Sequence, residues 1–295
     1  MADAVSPSQV LDALRPIIDP DFQKSIVDLG FIKDLKVDGS SVAFSIELTT
    51  PACPVKAEFE RAATERVQAI EGVEDVAVTM TANTRQAGRA TGAQADQQVS
   101  MPGVKNIIAV ASGKGGVGKS TTAINLALTL RDQGASVGIL DADVYGPSLA
   151  LLAGVHGRPD TTPDRKIMPL IGQGMKLMSM AFFMNDDSPV IWRGPMVHGL
   201  VKQFLSDVQW GELDYLIVDM PPGTGDAALT LTQMAPLSGA VIVTTANDLS
   251  LIDARKGLQM FEKVGVPILG IVENMSFFTP ADAPDKKYYI FGKGG

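Results

Sequence analysis

Cysteine is almost missing from this 295-residue chain, in which Cys53 stands alone. A single thiol excludes an internal disulfide and fits a reducing compartment. Basic residues are also short: 25 Lys and Arg against 33 Asp and Glu give a formal net charge of -8. A chain of that sign repels phosphate backbones, and no Lys/Arg run offsets it, so general nucleic-acid binding is not expected. No stretch of about eighteen apolar residues occurs, so no membrane-spanning helix and no membrane partner are expected. Met1 to Val10 show neither the basic start nor the apolar stretch of a secretory signal. Cytoplasm is the expected location. Histidine is scarce as well, and His156 and His198 are isolated from each other and from Cys53, which argues against a His/Cys metal cluster.

Apolar residues are plentiful, at 45% of the chain, and the length suits two compact cores better than one. Residues 1–80 read as a small α+β domain. Val10, Leu11, Leu14, Ile17 and Ile18 recur at helical spacing, and Phe31–Val37 and Val42–Leu48 read as strands joined by the Asp38-Gly39 turn. A second helix is expected over Val55–Ile70 and a third strand over Val76–Met80. Residues 81–103 turn polar and small, the composition of a flexible linker.

Residues 104–295 change pattern again. Ile107–Val110, Val137–Leu140, Tyr215–Val218, Ala240–Val243 and Ile268–Val272 are short continuous apolar runs separated by helical stretches. Such runs predict an α/β fold with a mostly parallel sheet covered by helices on both faces. Ligands on such sheets bind at the carboxyl ends of the strands, so the residues after each run carry the chemistry.

After the first run come Gly113, Lys114, Gly115, Gly116, Val117, Gly118, Lys119, Ser120 and Thr121, then a helical pattern. This is the P-loop pattern GxxxxGK[ST] in its strand–loop–helix context, which predicts ATP bound with magnesium. Glycines let backbone N–H groups turn inward to phosphate oxygens, and the helix N-terminus adds its dipole. Lys119 is expected on the outer phosphates and the Ser120 hydroxyl on Mg2+. Lys114 is an extra lysine, either solvated or reaching the phosphates of a second subunit. Asp141 and Asp143 follow the second run; Asp143 is assigned to the attacking water, with Asp141 supporting it or holding metal, against the simpler reading that both cap a helix. Asp219 follows the third run, where an acid holds Mg2+ through water. The segment Pro221–Gly225 is a candidate switch, and Asp226 reads either as a metal-shell acid or a helix cap. Asn274, after the last run, carries the paired donor and acceptor that match adenine, or else stabilises a turn.

These segments together resemble the deviant Walker A ATPases, which include MinD, ParA and the nitrogenase iron protein. The narrower resemblance is to the Mrp-type (ApbC-type) iron–sulfur cluster carrier ATPases. It rests on Gly113–Thr121, Asp141–Ser148, Ile191–Met196, Trp210–Asp226 and Val272–Ser276, and covers nearly all of the chain from Val104 onward. The first domain, through Asp28-Leu29-Gly30 and Thr49–Pro54, resembles a small iron–sulfur assembly domain. The resemblance implies a homodimer that hydrolyses ATP and passes a bridging [4Fe-4S] cluster to client apoproteins. By the same resemblance Lys114 crosses the dimer, Asp143 orients water, Asp219 serves Mg2+ and Asn274 reads the base. A MinD/ParA-like positioning ATPase, or a regulatory ATPase without a cluster, is the alternative class. One departure bears on the cargo. Family members usually carry a Cys-x-x-Cys pair after the Val272–Ser276 segment, and here Pro280 and Ala283 occupy those positions, leaving Cys53 as the one candidate thiolate, or else simply a turn residue before the second helix. The family also continues beyond the point where this sequence stops, so a fragment is an expectation.

Overall fold

The computed structural model describes residues 5–20, 23–48, 56–82, 98–184 and 194–294. The chain divides into two compact units, Met1–Arg85 and Gln86–Gly295. The expected linker falls mainly on residues outside the described set, as do Cys53, Trp192 and Arg193.

In the first unit α1 (Pro7–Leu14) starts on a complete cap. Ser6 Oγ accepts from Gln9 N, Gln9 Oε1 accepts from Ser6 N at 2.8 Å, and Pro7 fills a position that needs no donor. The short pair β1 (Ile18–Asp19) and β2 (Lys24–Ser25) follows, then β3 (Ile32–Asp38) and β4 (Ser41–Leu48). Asp38 pairs with Ser41 across a tight turn where Gly39 has φ 61°. Val42, Phe44, Ile46 and Leu48 alternate inward on β4 and meet Phe59, Ala63 and Val67 of α2 (Lys56–Gln68) in one core. β5 (Asp75–Ala82) closes a three-stranded sheet, parallel to β4, in the order β3-β4-β5.

The second unit is built on a seven-stranded sheet. Its elements are β6 (Val104–Ser112), α3 (Lys119–Asp132), β7 (Val137–Asp141), α4 (Leu149–Ala153), β8 (Leu170–Gly172), β9 (Met175–Ser179), α5 (Gly194–Ser206), β10 (Leu213–Asp219), α6 (Asp226–Met234), β11 (Gly239–Thr244), α7 (Asp248–Lys263) and β12 (Ile268–Glu273). Strand order is β12-β11-β6-β10-β7-β9-β8, all parallel except β8, which runs antiparallel to β9. The α/β class is therefore as expected from the apolar runs. β6 and β7 are buried almost throughout because helices cover both faces. The crossovers β6-α3-β7 and β11-α7-β12 travel in opposite directions along the sheet, so right-handedness puts α3 and α7 on opposite faces. The winding reverses beside β6, and the crevice that this opens at the carboxyl ends is where the loop after β6 lies.

In this unit two strands escaped the sequence reading, as did the short β1 and β2 of the first. β8 and β9 lie in a stretch rich in methionine, which packs adaptably and carries no strand pattern of its own. Met175, Met178 and Met180 are indeed fully buried, while Met168 is 40% exposed.

Candidate functional site

Residues 113–118 leave the end of β6 and enter α3 with Gly118 as its cap at φ 88°. Gly116 is also left-handed, at φ 80°. Such angles are open to glycine and costly to other residues. Gly113 is required for a different reason. A Cβ there would stand 2.3 Å from the Asp253 carbonyl carbon and 2.6 Å from Ala254 N, inside the backbone of α7. The loop is thus pressed against one helix while it starts another.

Lys119 is buried at the first position of α3, and its Nζ lies 2.5 Å from Asp219 Oδ1, 3.8 Å from Asp143 Oδ2 and 3.5 Å from Ser120 Oγ. Asp219 and Asp141 end adjacent strands in register, both with no exposed surface. Burial pushes the Asp219 carboxyl above its ordinary range, opposed chiefly by the Lys119 charge. Asp141 is pushed up to about 7, by burial first and by neighbouring Asp219 second, against the Leu149 N–H, the Ser179 hydroxyl and Lys119. The structure brings Lys119, Ser120, Asp143 and Asp219 together.

Asp141 has a different surrounding from the other two acids. Its Oδ1 accepts from Asp143 N at 3.2 Å, and its Oδ2 accepts from Leu149 N and Ser179 Oγ, each at 3.1 Å. Both oxygens are committed to holding the loop that carries Asp143 and the start of α4. Ser179 was missed by sequence reasoning; the only signal was a serine closing an apolar run, on a strand that was itself overlooked. Asp143 Oδ1 accepts from Gly146 N at 3.3 Å, and its other oxygen faces Lys119.

Of these groups Lys119, Ser120 and Asp143 border a cleft of about 360 Å³, lined also by Gly115, Gly116, Gly118, Thr121 and Pro222. Leu151 and Leu152 of α4 form an exposed apolar edge to it. Asp219 Oδ2 is a buried oxygen without a hydrogen-bond partner among the described residues. An unpaired carboxylate oxygen beside a serine hydroxyl is an oxygen donor set that suits Mg2+. Lys114 is half-buried, its carbonyl accepting from Ser112 Oγ at 2.9 Å, and among the described residues its ammonium makes no ion pair. Asp226 opens α6 as its first residue, with Gly225 as the cap.

Asn274 Nδ2 donates to Val117 O at 2.9 Å, and its Oδ1 accepts from Met275 N at 3.0 Å. Beyond it, Phe278 and Tyr288 exchange backbone hydrogen bonds in a hairpin whose turn contains Pro280 and Ala283. No group of three or more His, Cys, Asp or Glu able to hold a metal occurs among the described residues. His156 is exposed, and the His198 side chain lies outside the described set.

Residues 103–295 match the family model described as the NUBPL iron-transfer P-loop NTPase, and residues 7–80 match that of an iron–sulfur cluster assembly protein. A protein of Synechocystis sp. named iron–sulfur cluster carrier protein is 51% identical over 97% of this chain and 81% of its own length. The chloroplastic Fe–S cluster assembly factor HCF101 of Arabidopsis thaliana is 50% identical over 98% of this chain, which spans only 53% of that relative. A solved nucleotide-binding protein from Archaeoglobus fulgidus, in complex with ADP, is 42% identical with a TM-score of 0.58, covering 66% of this chain and 76% of its own.

Proposed function

We propose, because this chain belongs to the NUBPL iron-transfer P-loop NTPase family, that it binds and hydrolyses ATP in order to carry iron–sulfur clusters to client apoproteins. The observation that carries the nucleotide half is the convergence of Lys119, Ser120 and Asp143 on one cleft at the carboxyl edge of the sheet, with Asp219 buried against the Lys119 ammonium. Backbone N–H groups of the loop and the Lys119 ammonium hold the phosphates. Ser120, and Asp219 through water, would hold Mg2+, which when bound would neutralise charge on the phosphate oxygens. The Asp143 carboxylate accepts a hydrogen bond from the water that attacks the terminal phosphorus. The P–O bond to the leaving diphosphate then breaks, giving ADP and inorganic phosphate. Asp141 and Ser179 fix the loop on which Asp143 rides.

Asp143→Asn keeps the shape and removes the charge. Its ATP turnover is expected to fall about a hundredfold with ADP affinity changed less than threefold, since the side chain serves the water rather than the phosphates. Wild-type turnover in a phosphate-release assay would remove Asp143 from that role.

Lys114 is best read as the lysine that reaches a second subunit's phosphates, which makes the working unit a homodimer and ties turnover to association. Cytoplasm, or the matching reducing space of an organelle, is the location this reading implies. No helix among the described residues is long and apolar enough to cross a membrane.

The cargo site is held by less. Pro280 and Ala283 offer iron a ring carbon and a methyl group, so the hairpin turn carries no thiolate. Cys53 is the one thiol each subunit has, so a dimer supplies two thiolates and the remaining ligands must come from sulfide, a small thiol or the client. Anaerobic reconstitution with iron and sulfide is expected to give a chromophore near ~400 nm in the intact protein and none in Cys53→Ala. Failure of the intact protein to bind iron would sink the carrier reading and favour a nucleotide switch without a cluster.

A further inference from the structure

Asn274 stands behind the phosphate loop, and its hydrogen bonds point to a task different from base recognition. Its Nδ2 donates to Val117 O at 2.9 Å. The peptide linking Val117 to Gly118 is trans, and in a planar trans peptide the C=O and N–H point in opposite directions. A carbonyl drawn toward Asn274 therefore turns the Gly118 N–H away from it. Gly118 lines the cleft and Asn274 is not among the residues that do, so the N–H is turned to the cleft side. That N–H has no acceptor among the described residues.

The fit of Asn274 against the loop is tight. A Cβ on Gly118 would fall 2.2 Å from Asn274 Nδ2, and Gly118 adopts φ 88°. Glycine at this position serves the contact as well as the turn. Asn274 is itself fixed, since its backbone N–H donates to Thr244 O at 2.8 Å at the end of β11 and its Oδ1 accepts from Met275 N. The Val117 side chain is 2% exposed, which anchors the peptide from its other side.

We infer that Asn274 is a positioning residue for phosphate: it holds the Val117–Gly118 peptide in the orientation that presents the Gly118 N–H to a nucleotide's phosphate oxygens. The ligand class is any diphosphate, with or without a base. This rests on the phosphate-binding reading of residues 113–121 and changes the role that the sequence assigned to Asn274.

The test is calorimetric titration of the full chain with ADP and, separately, with pyrophosphate. Asn274→Ala is expected to weaken both by the same factor of about ten, corresponding to one hydrogen bond of about 1.4 kcal/mol. Asn274→Asp, which sets an oxygen against Val117 O, is expected to weaken both further, with melting curves confirming that each variant is folded. A loss confined to ADP returns Asn274 to base recognition and overturns the inference, as does no loss for either ligand. Absence of ADP binding by the wild-type chain is a separate result that sinks the nucleotide reading itself.

Discussion

Lys119→Ala is expected to lose ATP turnover by about a thousandfold, the scale of removing a charged donor aimed at developing phosphate charge. The ammonium is buried with a 2.5 Å contact to Asp219 and 3.8 Å to Asp143, so it is placed once and has no alternative site in solvent. The alanine variant also leaves two carboxylates facing each other without their shared cation. Phosphates brought into that cleft then meet negative charge, and ADP affinity is expected to drop at least a hundredfold as well. Lysine cannot be replaced from Lys114, which lies on the opposite side of three glycines and lines no part of the cleft. Phosphate release measured beside calorimetric ADP binding checks both halves. Turnover surviving in Lys119→Ala would mean that residues 113–121 are not the phosphate loop.

Gly113→Ala is expected to destabilise the second unit by about 3 kcal/mol or more, at the upper end of what an added core methyl costs. The reason is what the methyl meets. Asp253 and Ala254 present backbone atoms at 2.3 and 2.6 Å, and a helix backbone cannot rotate aside as a side chain would. Either α7 shifts along the sheet or the end of β6 does, and both disturb the loop. For a unit of this size the midpoint of thermal unfolding should fall by roughly 6–12 °C. Gly115→Ala is the control, because nothing lies within 4 Å of a Cβ at that exposed position. Scanning calorimetry of the two variants decides the matter: equal melting temperatures would show that the close approach to α7 carries no strain.

Much of this architecture was legible in the sequence because its signals are local. Continuous apolar strands reported a sheet buried on both faces, and acids directly after Val218 and Leu140 had to fall at its carboxyl edge. The phosphate loop was legible for the same reason, since strand, glycines, lysine and helix are consecutive. What the sequence did not disclose depended on contacts between distant segments. Nothing around Gly113 announces that α7 passes within van der Waals distance of it. Asp141 and Asp143 look alike in sequence, yet the hydroxyl of Ser179, 38 residues away, and the N–H of Leu149 claim the first. Asn274 was read from its functional groups, whereas its partner at Val117, 157 residues earlier, determines which of them is already engaged. β9 went unseen because three methionines in its neighbourhood suit a helix or loose packing as well as a strand.

The position of β6 has a consequence for how this molecule is made. β6 is the first strand of its sheet in the chain, but its two neighbours are β10 and β11, which end at Asp219 and Thr244. A ribosome therefore delivers the loop at residues 113–118 long before either flanking strand exists. Non-local parallel pairing pays its loop-closure cost before any contact returns it. During synthesis the glycine loop has no β10 carboxylate to meet its lysine and no α7 to rest on. The nucleotide pocket is thus a late product of folding, completed only after some 130 further residues have emerged behind it. The first unit has no such wait, since all of its strands pair within residues 18–82, so it is ready as a folded body while the second is still being assembled.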